Sequence, residues 1–368
     1  MFKKRAIARR NVLYLGLSTL IGSTMAANAK VAEASLKAGA AAKGLIYGAA
    51  SQHKILSSNA EFARRFLEEC AILVPENELK WEAVRPSPDR FDFTKGDWLA
   101  QFARKHGLLF RGTPLLWYQA IPDWFRETVN RQNAEQFLTN HIETVVKHYA
   151  GQIHSWDVVN EGIHLPDRQP DGLRKTPWLK FLGEDYIDLA FRVAAQADPQ
   201  AILVYNDYDI DYDTREQEAK RKSVLKLLER LKAKKTPIHA IGLQAHLSAA
   251  ETRFNPNKLR KFLGDVASMG LKVLVTEMDV ADRGLPFDYT IRDRRVAQVY
   301  EEYLSVILDE PATIAVLTWG LSDRYTWLSQ HRARADNAKV RPLPLDRDLK
   351  PKLAWHGIAS AFESRSST

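Results

Sequence analysis

Cysteine is nearly absent: Cys70 is the only one among 368 residues. That excludes an internal disulfide framework and a cysteine-based zinc site, so stability has to come from a packed core. Long apolar runs are missing as well. The stretch "VLYLGLSTLIGSTM" (residues 12–25) is too short to span a bilayer. No glycine-rich phosphate loop follows the first strand-like segment, which disfavours a nucleotide-binding, doubly wound sheet. An excess of positive charge is also scarcer than it looks. The formal charge of +8 includes five bases and no acids within residues 1–29, leaving 48 bases against 45 acids, a net +3, in the remainder. Nucleic-acid binding therefore loses most of its support.

Residues 1–29 have the layout of a cleaved export signal: Lys3, Lys4, Arg5, Arg9 and Arg10, then the apolar stretch, then Ala27-Asn28-Ala29 as a small-residue cleavage site. Arg9-Arg10 followed by Asn11, Val12 and Leu13 fits a twin-arginine signal. The competing reading is an N-terminal membrane anchor. The expectation is export, to the periplasm or beyond, as a monomer without membrane attachment after cleavage. Residues 30–43, "KVAEASLKAGAAAK", read as a linker or a loosely held helix, and 44–368 as one catalytic domain.

What is present is alternation. Strand-like runs occur at 44–50, 71–76, 107–113, 153–161, 201–207, 238–246, 271–279 and 313–320. Amphipathic segments such as "DYIDLAFRVAAQA" and "RRVAQVYEEYLSVILDE" lie between them. Eight strands alternating with helices predict an α/β fold, a single (β/α)8 TIM barrel. In such a barrel the chemistry sits at the C-terminal strand ends. Polar residues collect there: Asn77 and Lys80 after the second strand, Trp117 after the third, Asn160 and Glu161 at the fourth. Asn206 and Asp207 end the fifth, Gln244 and His246 the sixth, Glu277 and Asp279 the seventh, and Trp319 the eighth.

Glu161 and Glu277 are the candidate catalytic pair. Two acids across a barrel mouth divide labour when their surroundings push their pKa values apart, one donating a proton and the other attacking. That is the chemistry of glycoside hydrolysis, which requires no cofactor. Alternation along a strand points Gln244 with His246, and Glu277 with Asp279, so His246 is placed to bridge toward either acid. Nine tryptophans suit a carbohydrate partner, because sugar faces stack on indoles. Trp117, Trp319 and Trp327 are the expected contacts, and the others are expected in the core.

Two other patterns are weaker. "DYDIDYDTREQE" (207–218) has calcium-loop acids, but Tyr212 stands where a glycine is needed, so its acids are expected to line the rim and cap the next helix. His141, His148, His154 and His164 meet no metal-ligand spacing.

The motifs "PENELKW", "WDVVNE", "YNDY", "IGLQAHL", "VTEMDV", "TWGLSD" and "DRDLKPK", in this order from about Gly44 to Phe362, resemble glycoside hydrolase family 10, the retaining endo-1,4-β-xylanases. The resemblance implies Glu161 as general acid/base and Glu277 as nucleophile. It implies sugar contacts from Glu76, Asn77, Lys80, Asn160, Gln244 and His246, and Trp117, Trp319 and Trp327 as cleft walls. The implied substrate is xylan or a related β-1,4-linked polysaccharide. The third strand departs from the family: in "RGTPLLWYQA", Thr113 and Tyr118 replace two histidines and Ala120 replaces a glutamine. Those changes keep two alternatives in play, a retaining enzyme for another β-glycan or decorated oligosaccharide, and a sugar-binding barrel without catalysis.

Overall fold

The computed structural model describes residues 34–366. The expected leader, residues 1–29, lies outside the described residues.

Nine parallel strands form the sheet: β1 Ile46–Ser51, β2 Ile72–Pro75, β3 Leu109–Gly112, β4 Ile153–Asn160, β5 Ile202–Asp207, β6 Ala240–Leu243, β7 His246–Ser248, β8 Lys272–Ala281 and β9 Thr313–Thr318. Eight of them close the barrel. Neighbours run β6-β5-β4-β3-β2-β1-β9-β8, and β8 returns to β6 through Gly242 opposite Leu274. The β1–β9 seam sets Ile46 opposite Ala315 and Tyr47 opposite Val316. The barrel therefore has no free edge.

Alternation along each strand sorts the apolar side chains into two cores. Ala50, Ile72, Val74, Val204, Leu274 and Leu317 point inward and pack in the lumen. Leu73, Leu203, Tyr205 and Val316, one step along their strands, face the helices. Among the helices, Arg215–Ala233 is capped by Thr214, whose side chain accepts from Gln217 N, and Tyr289–Leu308 by Asp288. The latter begins five residues before the apolar periodicity, since its first turn is exposed. No helix among the described residues is long and apolar enough to cross a membrane.

Two expectations need correction. The sixth strand is interrupted: Ala245, at φ 57°, separates β6 from β7, which pairs only with β8. The 30–43 segment, expected as a linker or a loosely held helix, is helical where it is described, and that helix is firmly held. Leu36–Ala41 is a helix with Leu36 and Ala40 fully buried, and Leu36 N donates to Glu69 Oε2 at 2.9 Å. Its apolar residues, spaced four apart, form a stripe that docks on the barrel's outer core.

Candidate active site

The strand ends surround a cleft of about 560 Å³, within the range of small-ligand sites. Glu161, Glu277 and all nine expected sugar-contact residues line it: Glu76, Asn77, Lys80, Trp117, Asn160, Gln244, His246, Trp319 and Trp327. Asp279 lies beneath, fully buried.

Glu161 directly follows β4 and adopts φ 58°, a left-handed conformation that costs a non-glycine residue about 1–3 kcal/mol. Its N–H is held by Asn206 O at 2.8 Å. Its Oε1 accepts from Gln244 Nε2 at 3.1 Å and Asn160 Nδ2 at 3.3 Å. The indole N–H of Trp117 is directed toward the carboxyl without reaching hydrogen-bond geometry. Burial pushes the Glu161 carboxyl above the usual carboxylate range, and the negative charges of Asp207 and Glu277 add to that, against the Gln244 donor.

Glu277 lies within β8, opposite. Its Oε1 accepts from Asn206 Nδ2 at 2.8 Å, and its Oε2 lies 3.3 Å from His246 Nε2. His246 Nδ1 is 3.1 Å from Asp279 Oδ1, an ion-pair contact without hydrogen-bond alignment. The other Asp279 oxygen accepts from Trp327 Nε1 at 2.7 Å. Burial alone would lower the imidazole pKa, but Asp279 and Glu277 override it and raise it to about 10. The expected bridge is thus made to both acids, and His246 is a cation beside Glu277.

Neutral amides connect the two carboxyls. Asn206 Nδ2 donates to both Glu277 and Asn160 Oδ1, the latter at 3.0 Å, and Gln244 Nε2 donates to both Asn160 Oδ1 and Glu161. Thr276 Oγ1 fixes Asn206 by donating to its Oδ1 at 2.7 Å. Gly242 makes this possible, because a Cβ there would fall 2.2 Å from Asn206 Oδ1. Asn206 was visible as a strand end but was not among the expected site residues. Its strand position gave no sign that it touches both partners.

On the second-strand side, Lys80 Nζ donates to Asn77 Oδ1 at 2.8 Å and sits 5.3 Å from the Trp117 ring centre. Glu76 accepts from Gln52 at 3.1 Å, and burial raises its pKa. Of the nine tryptophans, Trp81, Trp156, Trp178 and Trp355 are core residues.

The three departures on the third strand go to different places. Thr113 is buried beside Asp157, whose pKa burial raises to about 6 against the adjacent Arg111 guanidinium. Ala120 is left-handed at φ 52°, with its carbonyl accepting from Glu82 N at 2.9 Å. Tyr118 stacks on Arg174, a residue that no sequence motif singled out, at 3.9 Å from guanidinium carbon to ring centre.

The remaining patterns resolve into ordinary pairings. Asp207, Asp211 and Asp213 are taken separately by Lys220, Tyr303 and Lys258, and the helix cap is Thr214 rather than an acid. His141 is buried on Trp81, while His148 and His164 pair with Asp97 and Asp167.

Residues 35–361 match the model of the family described as glycosyl hydrolase family 10. A "Beta-1,4-xylanase" of Dictyoglomus thermophilum is 36% identical over 296 residues, 78% of this chain and 80% of that protein. "Endo-1,4-beta-xylanase B" of Thermotoga neapolitana is 31% identical over 83% of each chain. Among solved structures, xylanase 10B of Thermotoga maritima superposes with a TM-score of 0.81 at 31% identity, covering 89% of this chain and 98% of that one. Xylanase 10B of Thermotoga petrophila RKU-1, solved with xylobiose, gives 0.80 at 30% identity, covering 89% and 97%. With the barrel, the seven ordered motifs and these matches in agreement, this chain belongs to glycosyl hydrolase family 10.

Proposed function

We propose that this protein is an exported endo-1,4-β-xylanase that cleaves internal xylosidic bonds with retention of configuration. The observation that carries the reading is the pair of buried carboxylates in one cleft, Glu161 caged by amides and Glu277 beside the His246 cation. In the first step Glu161 gives its proton to the leaving glycosidic oxygen while Glu277 attacks the anomeric carbon, so the C–O bond to the leaving sugar breaks as a glycosyl ester forms. In the second step Glu161 takes a proton from water, whose oxygen attacks the same carbon and releases Glu277. Asn160 is the partner for the sugar 2-hydroxyl, a bond that strengthens in the transition state. Trp117, Trp319 and Trp327 offer ring faces to the sugars.

The substrate class draws on the xylanases to which the chain is similar, one of them solved with xylobiose. Export draws on the leader. A second reading, a retaining enzyme for another β-glycan, draws on Thr113, Tyr118 and Ala120 in the cleft wall.

The test is a panel of xylan, arabinoxylan and mixed-linkage glucan, with the first-formed anomer followed by NMR. The expected result is rapid fall in xylan viscosity and an initial β-anomer. An α-anomer would overturn retention, preference for glucan would favour the second reading, and bound but uncleaved xylo-oligosaccharide would indicate a binder. Fractionation of the producing cells tests export.

A further inference from the structure

The loop after Glu161 folds back on it. Ile163 pairs with Leu173 in an antiparallel bridge, His164 N donates to Gly172 O at 2.8 Å, and Arg174 N donates to Gly162 O at 2.8 Å. This closure returns Arg174 to the residue where the loop began. Arg174 Nε donates to the carbonyl oxygen of Glu161 at 2.6 Å. Its Nη2 donates to Tyr208 Oη at 2.8 Å and stands 3.7 Å from Glu161 Oε2. Tyr118 covers the guanidinium face, and only 4% of the residue is exposed. The guanidinium is therefore engaged by main chain, phenol and ring, and is poorly placed to bind sugar itself.

We infer that Arg174 is a positioning residue for proton transfer by Glu161, holding its strained backbone and supplying a fixed positive charge as its carboxylate forms. This rests on the acid/base role proposed above for Glu161. Both main-chain groups of Glu161 are clamped, the N–H by Asn206 O and the carbonyl by Arg174, and a left-handed residue needs that support to aim its side chain into the cleft. The charge is placed with restraint. A bidentate arginine–carboxylate pair would hold the acid ionised. At 3.7 Å the guanidinium leaves Oε2 free for the leaving oxygen, yet close enough to favour the anion once the proton has gone. Tyr118 adds a demand for arginine: its ring stacks on the planar cation, a contact that lysine in place of Arg174 would not reproduce.

The experiment compares Arg174→Met and Arg174→Lys on two substrates, xylopentaose, whose leaving sugar needs a proton, and 2,4-dinitrophenyl β-xylobioside, whose leaving group departs without one. Arg174→Met is expected to lower kcat/KM on xylopentaose by about 100-fold, the low end for general acid catalysis, and to change the aryl substrate by less than about threefold. Arg174→Lys should fall between wild type and Arg174→Met on xylopentaose, and it serves alone if the methionine variant does not fold. Loss of the nearby cation should also move the basic limb of the kcat/KM profile to higher pH, because the carboxyl keeps its proton longer. Equal losses on both substrates, or none on either, would overturn the inference. Glu161→Ala is the control. If it shows no substrate split, the acid/base assignment falls and Arg174 with it; if it splits and the Arg174 variants do not, the positioning role alone fails.

Discussion

Glu161 and Glu277 are equally deep, 8% and 7% exposed, and share one chain of amides. Of the two carboxyl groups, only that of Glu277 lies within hydrogen-bonding distance of a cationic side chain, at His246. Around the Glu161 carboxyl the hydrogen-bond donors are neutral, the Arg174 guanidinium stands 3.7 Å from Oε2, and Asp207 contributes repulsion. The same side chain, once just past β4 and once within β8, thus meets two different surroundings, the difference that the proposed acid and nucleophile roles require of one cleft at one pH.

The largest effect expected from disturbing this division is at Glu277. Glu277→Ala should lower kcat on xylan by on the order of 10⁵-fold, as for other covalent nucleophiles. Glu161→Ala should cost roughly 10²–10⁴-fold, the contribution of general acid catalysis. Azide sharpens the contrast. It should rescue the two variants with opposite anomers, an α-glycosyl azide from Glu277→Ala and a β-glycosyl azide from Glu161→Ala, read by NMR. The same anomer from both would break the assignment.

The next effect is on pH-dependent stability, through His246. Its folded pKa of about 10 lies above the ordinary 6.5, so its stabilisation is fully present below pH 6.5 and is lost as pH rises toward 10. The melting temperature of the wild type should fall across that window, and that of His246→Asn should be flatter. Identical slopes would mean that the imidazole is not a cation beside Glu277. The smallest effect is at Lys80, which lines the cleft and is bonded to Asn77. Lys80→Met should raise KM about tenfold with kcat nearly unchanged, as for a lost charged hydrogen bond made equally in ground and transition states. A matching fall in kcat would place Lys80 in the transition state instead.

Much of this was legible in the chain because strands advertise themselves. Runs such as "AILVYND" and "AILVPE" locate β5 and β2 to within a residue, and Glu76, which ends the second run, lies on the cleft. The pairing of Gln244 with His246 came out as expected even though Ala245 breaks the strand between them, since the left-handed residue leaves both side chains on the cleft. Arg174 was not legible. It lies thirteen residues past Glu161 in a loop, and no periodicity reports where a loop closes. Asn206 was half legible, as a strand end without partners, because amide networks depend on rotamers and on the space that Gly242 leaves. The docking of Leu36–Ala41 was hidden by its alanine-rich composition, which says little about what a short helix packs against.

Glu69 has a consequence for how the chain is strung. One of its oxygens, Oε2, accepts from Leu36 N and from Trp355 Nε1, and Lys43 reaches the carbonyl of Arg365 at 2.7 Å. The first and last helices of the described barrel thereby meet at a single buried anion, like the clasp of a bracelet. A circularly permuted gene, joining Arg365 to Ser35 through a short spacer and opening the polypeptide in a loop away from the cleft, should yield the same barrel, because the architecture depends on the clasp being shut and not on where translation begins.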